Sequence, residues 1–168
     1  MAPVCIAPHG ATAIPSRELR RRASGDTLVD MSYHDHITKK YISLWNEPDH
    51  ERRRRLIREL WTEDGSQVLE PPQDMLAAAN AIGFRSPRLE SRGYEQLEER
   101  VTRAYDEFVG SGQYCFRLRD NTSRLDDVLK FTWEMVPTDS DGAVAVGLEI
   151  MMLDPDGRIR TDYQFIEQ

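Results

Sequence analysis

The sequence predicts an α+β domain in which amphipathic helices cover one face of a twisted sheet. Two observations lead to this fold class. Apolar residues recur at helical spacing in three segments before residue 110, and they alternate with a period of two in the last third of the chain. Helices that come first and strands that follow are typical of α+β domains.

The length and composition are those of one folded domain preceded by a tail. The chain has 168 residues, of which 39% are hydrophobic, and this is enough for one core. Residues 1–30 are rich in Pro, Gly, Ala, Ser and Arg and show no sustained apolar period. They are predicted to form a flexible N-terminal tail, and residues 31–168 the folded domain.

Charge and cysteine content limit the classes of function. A net charge of −7 and a pI near 5.1 argue against nucleic-acid binding, which needs a concentrated positive field. Cys5 and Cys115 are too few and too far apart for a disulfide framework or a metal site, and they fit a reducing compartment. Without a long apolar run or a secretory signal, a cytoplasmic protein with no membrane partner is expected.

Three amphipathic helices are predicted in the first two thirds of the chain. The first follows Ser32, which can cap it, and ends near Asn46, while Asp49 caps the second. The third runs over Tyr94–Val109 and ends at a Gly-Ser-Gly sequence. Between the second and third helices, a short strand at Gln67–Glu70 is followed by a long connection with a helical turn or two.

Four successive strands are predicted in the last third of the chain. They are Gln113–Arg119, Leu125–Val136, Ala143–Leu153 and Arg158–Ile166. Two Asp-rich turns that end in Gly142 and Gly157 separate the last three strands. These three strands are therefore predicted to form an antiparallel meander.

One face of the sheet has the composition of a cavity wall. In the third of these strands it carries small residues and a single carboxylate, namely Ala143, Ala145, Gly147 and Glu149. Small residues leave room beside the sheet for a ligand. In the preceding strand Asp127 shares a face with Phe131 and Trp133. Strand register decides whether Glu149 or Asp127 faces the predicted pocket, and the sequence leaves this open.

Several short segments, in their order and spacing, are shared with a known superfamily. They are Tyr41–Asp49, Glu59–Asp64 with Glu70-Pro71, Gly93–Leu97, Gly147–Glu149, Asp156–Ile159 and Tyr163–Phe165. From about Tyr33 to its end the chain resembles the nuclear transport factor 2-like superfamily, and within it the SnoaL-like polyketide cyclase and ketosteroid isomerase group. The resemblance implies a cone-shaped domain, in which a curved antiparallel sheet and three helices enclose a pocket, and a homodimer formed through the sheet.

The resemblance also implies a set of site residues. Ketosteroid isomerases use a tyrosine on the first helix, a carboxylate base before a proline and a carboxylic acid on a late strand. The matching positions are Tyr41, Glu70 and Glu149, with glutamate where that family has aspartate. The residues expected to line the pocket are Trp45, Asp127, Phe131, Trp133 and Tyr163.

These residue types suit proton transfer next to a carbonyl group. The reaction needs a base near the C–H bond and donors aimed at the carbonyl oxygen. Glu70 would be the base, and Tyr41 and a protonated Glu149 the donors. Burial keeps such a carboxylic acid neutral by raising its pKa, as in ketosteroid isomerase. No metal and no organic cofactor is required.

Each candidate also has a purely structural interpretation. Tyr41 lies on a core stripe and fits a packed tyrosine with its hydroxyl at the surface. Glu70, before two prolines, fits a solvated loop acid, and Asp127 fits an exposed residue at the start of a strand. Convergence of Tyr41, Glu70 and Glu149 on one enclosed cavity would favour catalysis.

Three functions remain open. The first is a cofactor-independent acid–base enzyme, of isomerase, cyclase or dehydratase type, for a small apolar carbonyl compound such as a polyketide or steroid-like molecule. The second is a non-catalytic ligand-binding or dimerisation module of the same fold. The third is epoxide hydrolysis by water activated between paired acids such as Asp127 and Glu149, which would need an arginine between them.

Overall fold

A computed structural model describes residues 26–84 and 88–167 of the chain. These residues form four α-helices: α1 (Asp26–Trp45), α2 (His50–Leu60), α3 (Gln73–Ala81) and α4 (Gly93–Ala104). A π-helical segment, Tyr105–Val109, continues α4. The strands are β1 (Trp61–Leu69), β2 (Leu89–Arg92), β3 (Tyr114–Leu118), β4 (Ser123–Leu125), β5 (Val128–Pro137), β6 (Ala145–Leu153) and β7 (Ile159–Glu167).

The strands form one curved sheet that confirms the predicted α+β fold. Its order is β2-β1-β7-β6-β5-β3, and β4 pairs with β5. The last three strands, β5, β6 and β7, form the predicted antiparallel meander. One pair, β1 with β7, is parallel. Helices α1, α2 and α4 pack against one another and against this sheet, which leaves the other face of β5, β6 and β7 uncovered by them.

Two element boundaries differ from the predicted ones. Helix α1 begins at Asp26, so residues 26–30 are helical rather than part of the predicted tail, and residues 1–25 lie outside the described residues. Strand β1 begins at Trp61 rather than Gln67. Its first part is irregular, with a register shift before Ser66. Gly65 fits this crowded bend because a Cβ there would lie 2.9 Å from the carbonyl oxygen of Ile159.

A β-bulge at the start of β7 reverses the facing of its side chains. Thr161 pairs with Met152 but Ile159 pairs with Leu153, so one extra residue lies between the two pairs. Ile159 and Asp162 are consequently both fully buried although an odd number of positions separates them. Beyond the bulge, the side chains of Asp162 and Gln164 point into the domain.

The core lies between the helices and the concave face of the sheet. Its fully buried large side chains include Tyr41, Leu44, Ile57, Trp61, Leu97, Leu129, Phe131, Met151 and Leu153. Cys115 on β3 is buried and disulfide-bonded. This differs from the reduced cysteine that is expected in a reducing compartment. The other cysteine of the chain, Cys5, lies outside the described residues. Among the described helices, none is long and apolar enough to cross a membrane.

Gly147 allows an aromatic ring to lie flat across β6. Trp133 on β5 pairs directly with Gly147. A Cβ at position 147 would overlap the Trp133 indole, lying 2.7 Å from its Nε1 atom. Only glycine therefore leaves space for the indole in this orientation.

We expect Gly147→Ala to destabilise the domain by about 1–3 kcal/mol, because the new methyl group must displace the Trp133 ring within a packed core. Urea denaturation followed by tryptophan fluorescence measures this change. Gly142→Ala is the matched control, since a Cβ there meets no atom within 4 Å, and its effect should stay within about 0.5 kcal/mol. Equal stability of the two variants would contradict this account of Gly147.

Candidate functional site

A largely apolar cavity of about 360 Å³ lies between α1, α4 and the sheet. This volume is within the range of small-molecule sites. The lining residues are Tyr41, Ile42, Trp45, Leu69, Arg100, Ala104, Phe108, Phe116, Trp133, Met135, Ala145, Gln164 and Ile166. Phe108 reaches the cavity from the π-helical segment and Ala104 from the end of α4.

Tyr41 connects the cavity to a group of hydrogen-bonded side chains, which we call the polar cluster. Its members are Tyr41, Gln67, Trp133, Glu149, Asp162 and Gln164. The ring of Tyr41 is fixed by three aromatic neighbours, with centroid distances of 5.8 Å to Trp45, 5.6 Å to Trp61 and 5.5 Å to Phe131. Its hydroxyl donates to Asp162 Oδ2 at 2.8 Å. This geometry gives the hydroxyl a defined direction.

Gln67 on β1 completes the surroundings of Asp162. The Gln67 Nε2 group donates to the Tyr41 hydroxyl oxygen at 3.0 Å and to Asp162 Oδ2 at 3.1 Å. One carboxylate oxygen of Asp162 thus accepts two hydrogen bonds in a site where all three side chains are buried. Hydrogen bonds of this kind favour the ionised carboxylate.

Glu149 on β6 lies on the same buried face. Its Oε1 atom accepts from Trp133 Nε1 at 2.6 Å and from Gln164 Nε2 at 2.7 Å. Glu149 is fully buried, whereas Trp133 and Gln164 both line the cavity. Glu149 is therefore separated from the cavity by two side chains, Trp133 and Gln164, each of which donates a hydrogen bond to it.

The two buried carboxyl groups share one proton. Burial, followed by the charge of Asp162, raises the pKa of Glu149 well above its usual value, and the hydrogen bond between the two carboxyl groups raises it further. Burial also raises the pKa of Asp162, but the hydrogen bonds from Glu149, Tyr41 and Gln67 oppose this rise. Glu149 is consequently the protonated member and Asp162 the carboxylate.

The unpaired oxygens of these two groups fit this assignment. In each of these two carboxyl groups one oxygen accepts no hydrogen bond from the other described residues. These oxygens are Glu149 Oε2 and Asp162 Oδ1. A proton held by Glu149 and directed at Asp162 satisfies both atoms. Without that proton, two negative charges would lie together in an apolar interior.

Tyr41 is held in its neutral form by the same surroundings. Burial, followed by the charge of Asp162, raises the pKa of the Tyr41 hydroxyl well above its usual value. The group is therefore a hydrogen-bond donor at neutral pH. Tyr41, Asp162 and Glu149 form a continuous chain through which protons can move, which we call the acid chain.

The structure brings two of the three expected catalytic residues together. Tyr41 and Glu149 both belong to the polar cluster, which settles the open question of the direction of Glu149. Glu70 is exposed and does not line the cavity. Glu70 follows the last residue of β1, where Gln67 and Leu69 point inward. Because side chains alternate along a strand, the side chain of Glu70 points to the opposite face.

The expected lining residues separate into two groups. Trp45 and Trp133 line the cavity, and Phe131 lies behind Tyr41 without reaching it. Asp127 precedes β5 and lies outside the helix-covered face, so its side chain is exposed. It forms an ion pair with Arg160 at 2.8 Å. Tyr163 is 41% exposed on the outer face of β7, where the bulge directs it.

Four residues of the candidate site were missed from the sequence: Gln67, Arg100, Asp162 and Gln164. The bulge in β7 hides Asp162 and Gln164, because regular alternation assigns them to the solvent face. Arg100 had a usable signal. It lies three residues after Leu97 and four before Ala104, within the apolar stripe of α4, where a charge is unusual.

The described residues contain no group of three or more His, Cys, Asp or Glu side chains placed to hold a metal ion. The acid chain contributes two carboxyl groups on neighbouring strands, and both are occupied by hydrogen bonds within the cluster.

Solved structures with the same fold support the family resemblance. A candidate isomerase of the SnoaL-like family from Agrobacterium tumefaciens strain C58 is 25% identical and superposes with a TM-score of 0.65, over 82% of this chain and 100% of that chain. A SnoaL-like protein of unknown function from Burkholderia thailandensis E264 is 16% identical, with a TM-score of 0.56 and coverage of 82% and 97%.

A third similar structure belongs to the wider superfamily. It is a nuclear transport factor 2-like protein of unknown function from Mesorhizobium loti, 14% identical with a TM-score of 0.53, over 82% of this chain and 93% of that chain. No protein-family model and no curated protein matches the sequence. The predicted resemblance to SnoaL-like and nuclear transport factor 2-like proteins is therefore confirmed at the level of the fold.

The raised pKa of Glu149 predicts a stability that falls as pH rises. The native state holds a proton that the unfolded chain releases above about pH 4.3, so the free energy of unfolding decreases from there until Glu149 ionises in the native state. The slope reaches at most about 1.4 kcal/mol per pH unit. In Glu149→Gln, whose amide mimics the protonated acid, this slope should be absent.

Urea denaturation of both proteins between roughly pH 5 and pH 7.5 tests this prediction. The matched control is Glu99→Gln, an exposed position on α4, whose curve should follow that of the wild type. Parallel curves for the wild type and Glu149→Gln would show that Glu149 is not protonated in the native state.

Proposed function

We propose that this chain, which has the nuclear transport factor 2-like fold of SnoaL-like proteins, is an acid–base enzyme that needs no cofactor. It would act on a small apolar carbonyl compound, such as a polyketide or steroid-like molecule, by isomerisation, cyclisation or dehydration. The observation that supports this most directly is the acid chain, which reaches the wall of an apolar cavity through Tyr41. The similar structure from Agrobacterium tumefaciens, described as a candidate isomerase, agrees with it.

Tyr41 is the proposed catalytic residue because it is the member of the acid chain on the cavity wall. As its oxygen accepts a proton from the substrate, its own proton passes to Asp162 along the 2.8 Å hydrogen bond. The reverse transfer returns a proton to another atom of the substrate. Because both transfers are concerted, a tyrosinate with an unfavourable pKa does not accumulate.

Asp162 takes the place of Glu70 as the proposed base. Glu70 is exposed outside the cavity, whereas Asp162 is a buried carboxylate in direct contact with Tyr41. Glu149, as the protonated partner, tunes the basicity of Asp162 through their shared hydrogen bond. The two acids therefore have different roles because their surroundings separate their pKa values.

A non-catalytic ligand-binding module is the alternative. The cavity is largely apolar, and the polar groups of the acid chain already satisfy one another. A protein that only stored or carried a ligand would need no more than this. Turnover, rather than binding, separates the two functions.

Epoxide hydrolysis is a second candidate that one observation favours. The pair of this type expected from the sequence, Asp127 with Glu149, is not formed, because Asp127 is exposed. Glu149 and Asp162 instead provide a buried acid and carboxylate, with Arg100 close enough to lower the pKa of Asp162. Water would add to one epoxide carbon as its C–O bond breaks, and a proton of that water would pass through Tyr41 to Asp162. Return of a proton to the opened oxygen would give a diol.

The outer face of the sheet supports a homodimer formed through the sheet. Opposite the cavity, β6 and β7 present Leu148, Ile150, Tyr163 and Phe165, which form cross-strand pairs. Phe165 is 38% exposed and Tyr163 41% exposed in the single chain. Burying such a row against a second copy would remove apolar surface from water.

We expect Tyr41→Phe and Asp162→Asn each to reduce kcat by roughly 10²-fold or more, because each breaks the path of proton transfer. Deuterium incorporation from D₂O into a panel of steroid and polyketide ketones, followed by mass spectrometry, measures it. Tyr163→Phe makes the same chemical change on the outer face and should retain the wild-type rate.

Glu70→Gln tests the base predicted from the sequence and should also retain the wild-type rate. A loss of activity in Glu70→Gln with normal activity in Asp162→Asn would reverse the assignment of the base. Ligand binding without deuterium exchange or a diol product in the wild type would favour the binding module.

We expect Phe165→Glu to convert a dimer into a monomer, because a charge opposite Leu148 opposes burial of the outer face. Size-exclusion chromatography with light scattering gives the mass. Ile82→Glu is the matched control, because it makes the same kind of change at a residue that is 75% exposed at the end of α3, away from the sheet. Monomeric wild-type protein would end the proposal.

A further inference from the structure

Arg100 is the one charged residue among those that line the cavity. It comes from the middle of α4 and is partly buried. The other lining residues are aromatic, aliphatic or neutral polar. A cationic side chain is therefore directed at a site whose walls otherwise suit an apolar ligand.

The guanidinium of Arg100 has few partners in the described part of the chain. It donates from Nη2 to Gln164 Oε1 at 3.3 Å, a long hydrogen bond, and lies over the Trp45 ring with its Cζ atom 5.3 Å from the centroid. Among the described residues, no carboxylate lies within ion-pair distance of it. By contrast, Arg54 binds Glu98 and Arg117 binds Glu134, both at 2.8 Å.

This situation is costly for a cation removed from water. Burial lowers the pKa of Arg100, and the carboxylate of Asp162 opposes that effect only through space, without an ion pair. A guanidinium has five N–H donors, and most of those on Arg100 have no acceptor among the residues that the structure describes. An anion in the cavity would supply both acceptors and the missing charge.

We propose that the ligand of this cavity carries one carboxylate group on an otherwise apolar body, and that Arg100 binds this carboxylate. The planar guanidinium matches a carboxylate in a bidentate arrangement. A phosphate carries more negative charge, and its binding would require further cationic side chains. The residues that line the cavity include no second cationic side chain. The inference rests on the proposed use of this cavity as the substrate site and narrows the substrate class to apolar keto acids.

Matched pairs of acids and amides test the proposal without turnover. Benzoate, 2-naphthoate and decanoate are compared with their primary amides, which have nearly the same shape but no charge. Isothermal titration calorimetry at pH 7 gives Kd for each. We expect at least one acid to bind the wild type about 10- to 100-fold more tightly than its amide, the range of a charged hydrogen bond.

Variants at position 100 show whether Arg100 is the cause. Arg100→Gln should abolish the preference for the acid while leaving the Kd of the amide unchanged. Arg100→Lys should retain part of the preference, since it keeps the charge but not the bidentate geometry. Arg103→Gln removes an exposed arginine from the same helix and should behave as the wild type.

The outcomes separate this proposal from the proposed function. Equal binding of acid and amide, failure of every acid to bind at millimolar concentration, or a preference that survives in Arg100→Gln would overturn it. The wild-type comparison decides the first two even if Arg100→Gln does not fold. Acid-selective binding with no turnover of any ketone would support it while removing the catalytic function.

Discussion

One shared proton between Glu149 and Asp162 is the constraint on which the rest of the site depends. Two buried carboxyl groups on neighbouring strands are tolerable only if one is neutral and the other is surrounded by donors. Tyr41, Gln67, Trp133 and Gln164 supply those donors. Each of these four side chains is in turn fixed by packing or by strand register, so the polar cluster and the fold specify each other.

The polar cluster and the cavity divide the interior between them. Aromatic rings on α1 and the sheet surround Tyr41. The low polarity of these surroundings strengthens the hydrogen bonds of the cluster and also makes an unpaired charge costly. Arg100 is the exception, since its charge faces the cavity and makes, among the described residues, one long hydrogen bond. The uncompensated charge of Arg100 thus lies at the cavity wall, where a ligand would bind, and not within the hydrogen-bonded polar cluster.

The sequence predicted the fold well and the site in part. Periodicity and turns were sufficient for α1, α4 and the β5–β6–β7 meander, and short motifs identified Tyr41 and Glu149. Regular alternation failed at β7, because a bulge that no turn residue marks moves Asp162 inward and Tyr163 outward. Glu70 was chosen by its place before a proline, but the parity of β1 decides which side chains face inward, and that depends on long-range pairing with β7.

The π-helical segment at Tyr105–Val109 has a consequence for how the protein can vary. A π turn holds one residue more than an α turn, so deletion of a single residue there would restore a regular helix and turn Phe108 away from the cavity. The carboxyl pair lies on β6 and β7 and would not be disturbed. One codon lost or gained at this position thus offers evolution a way to change the shape of the cavity while its chemistry is inherited intact.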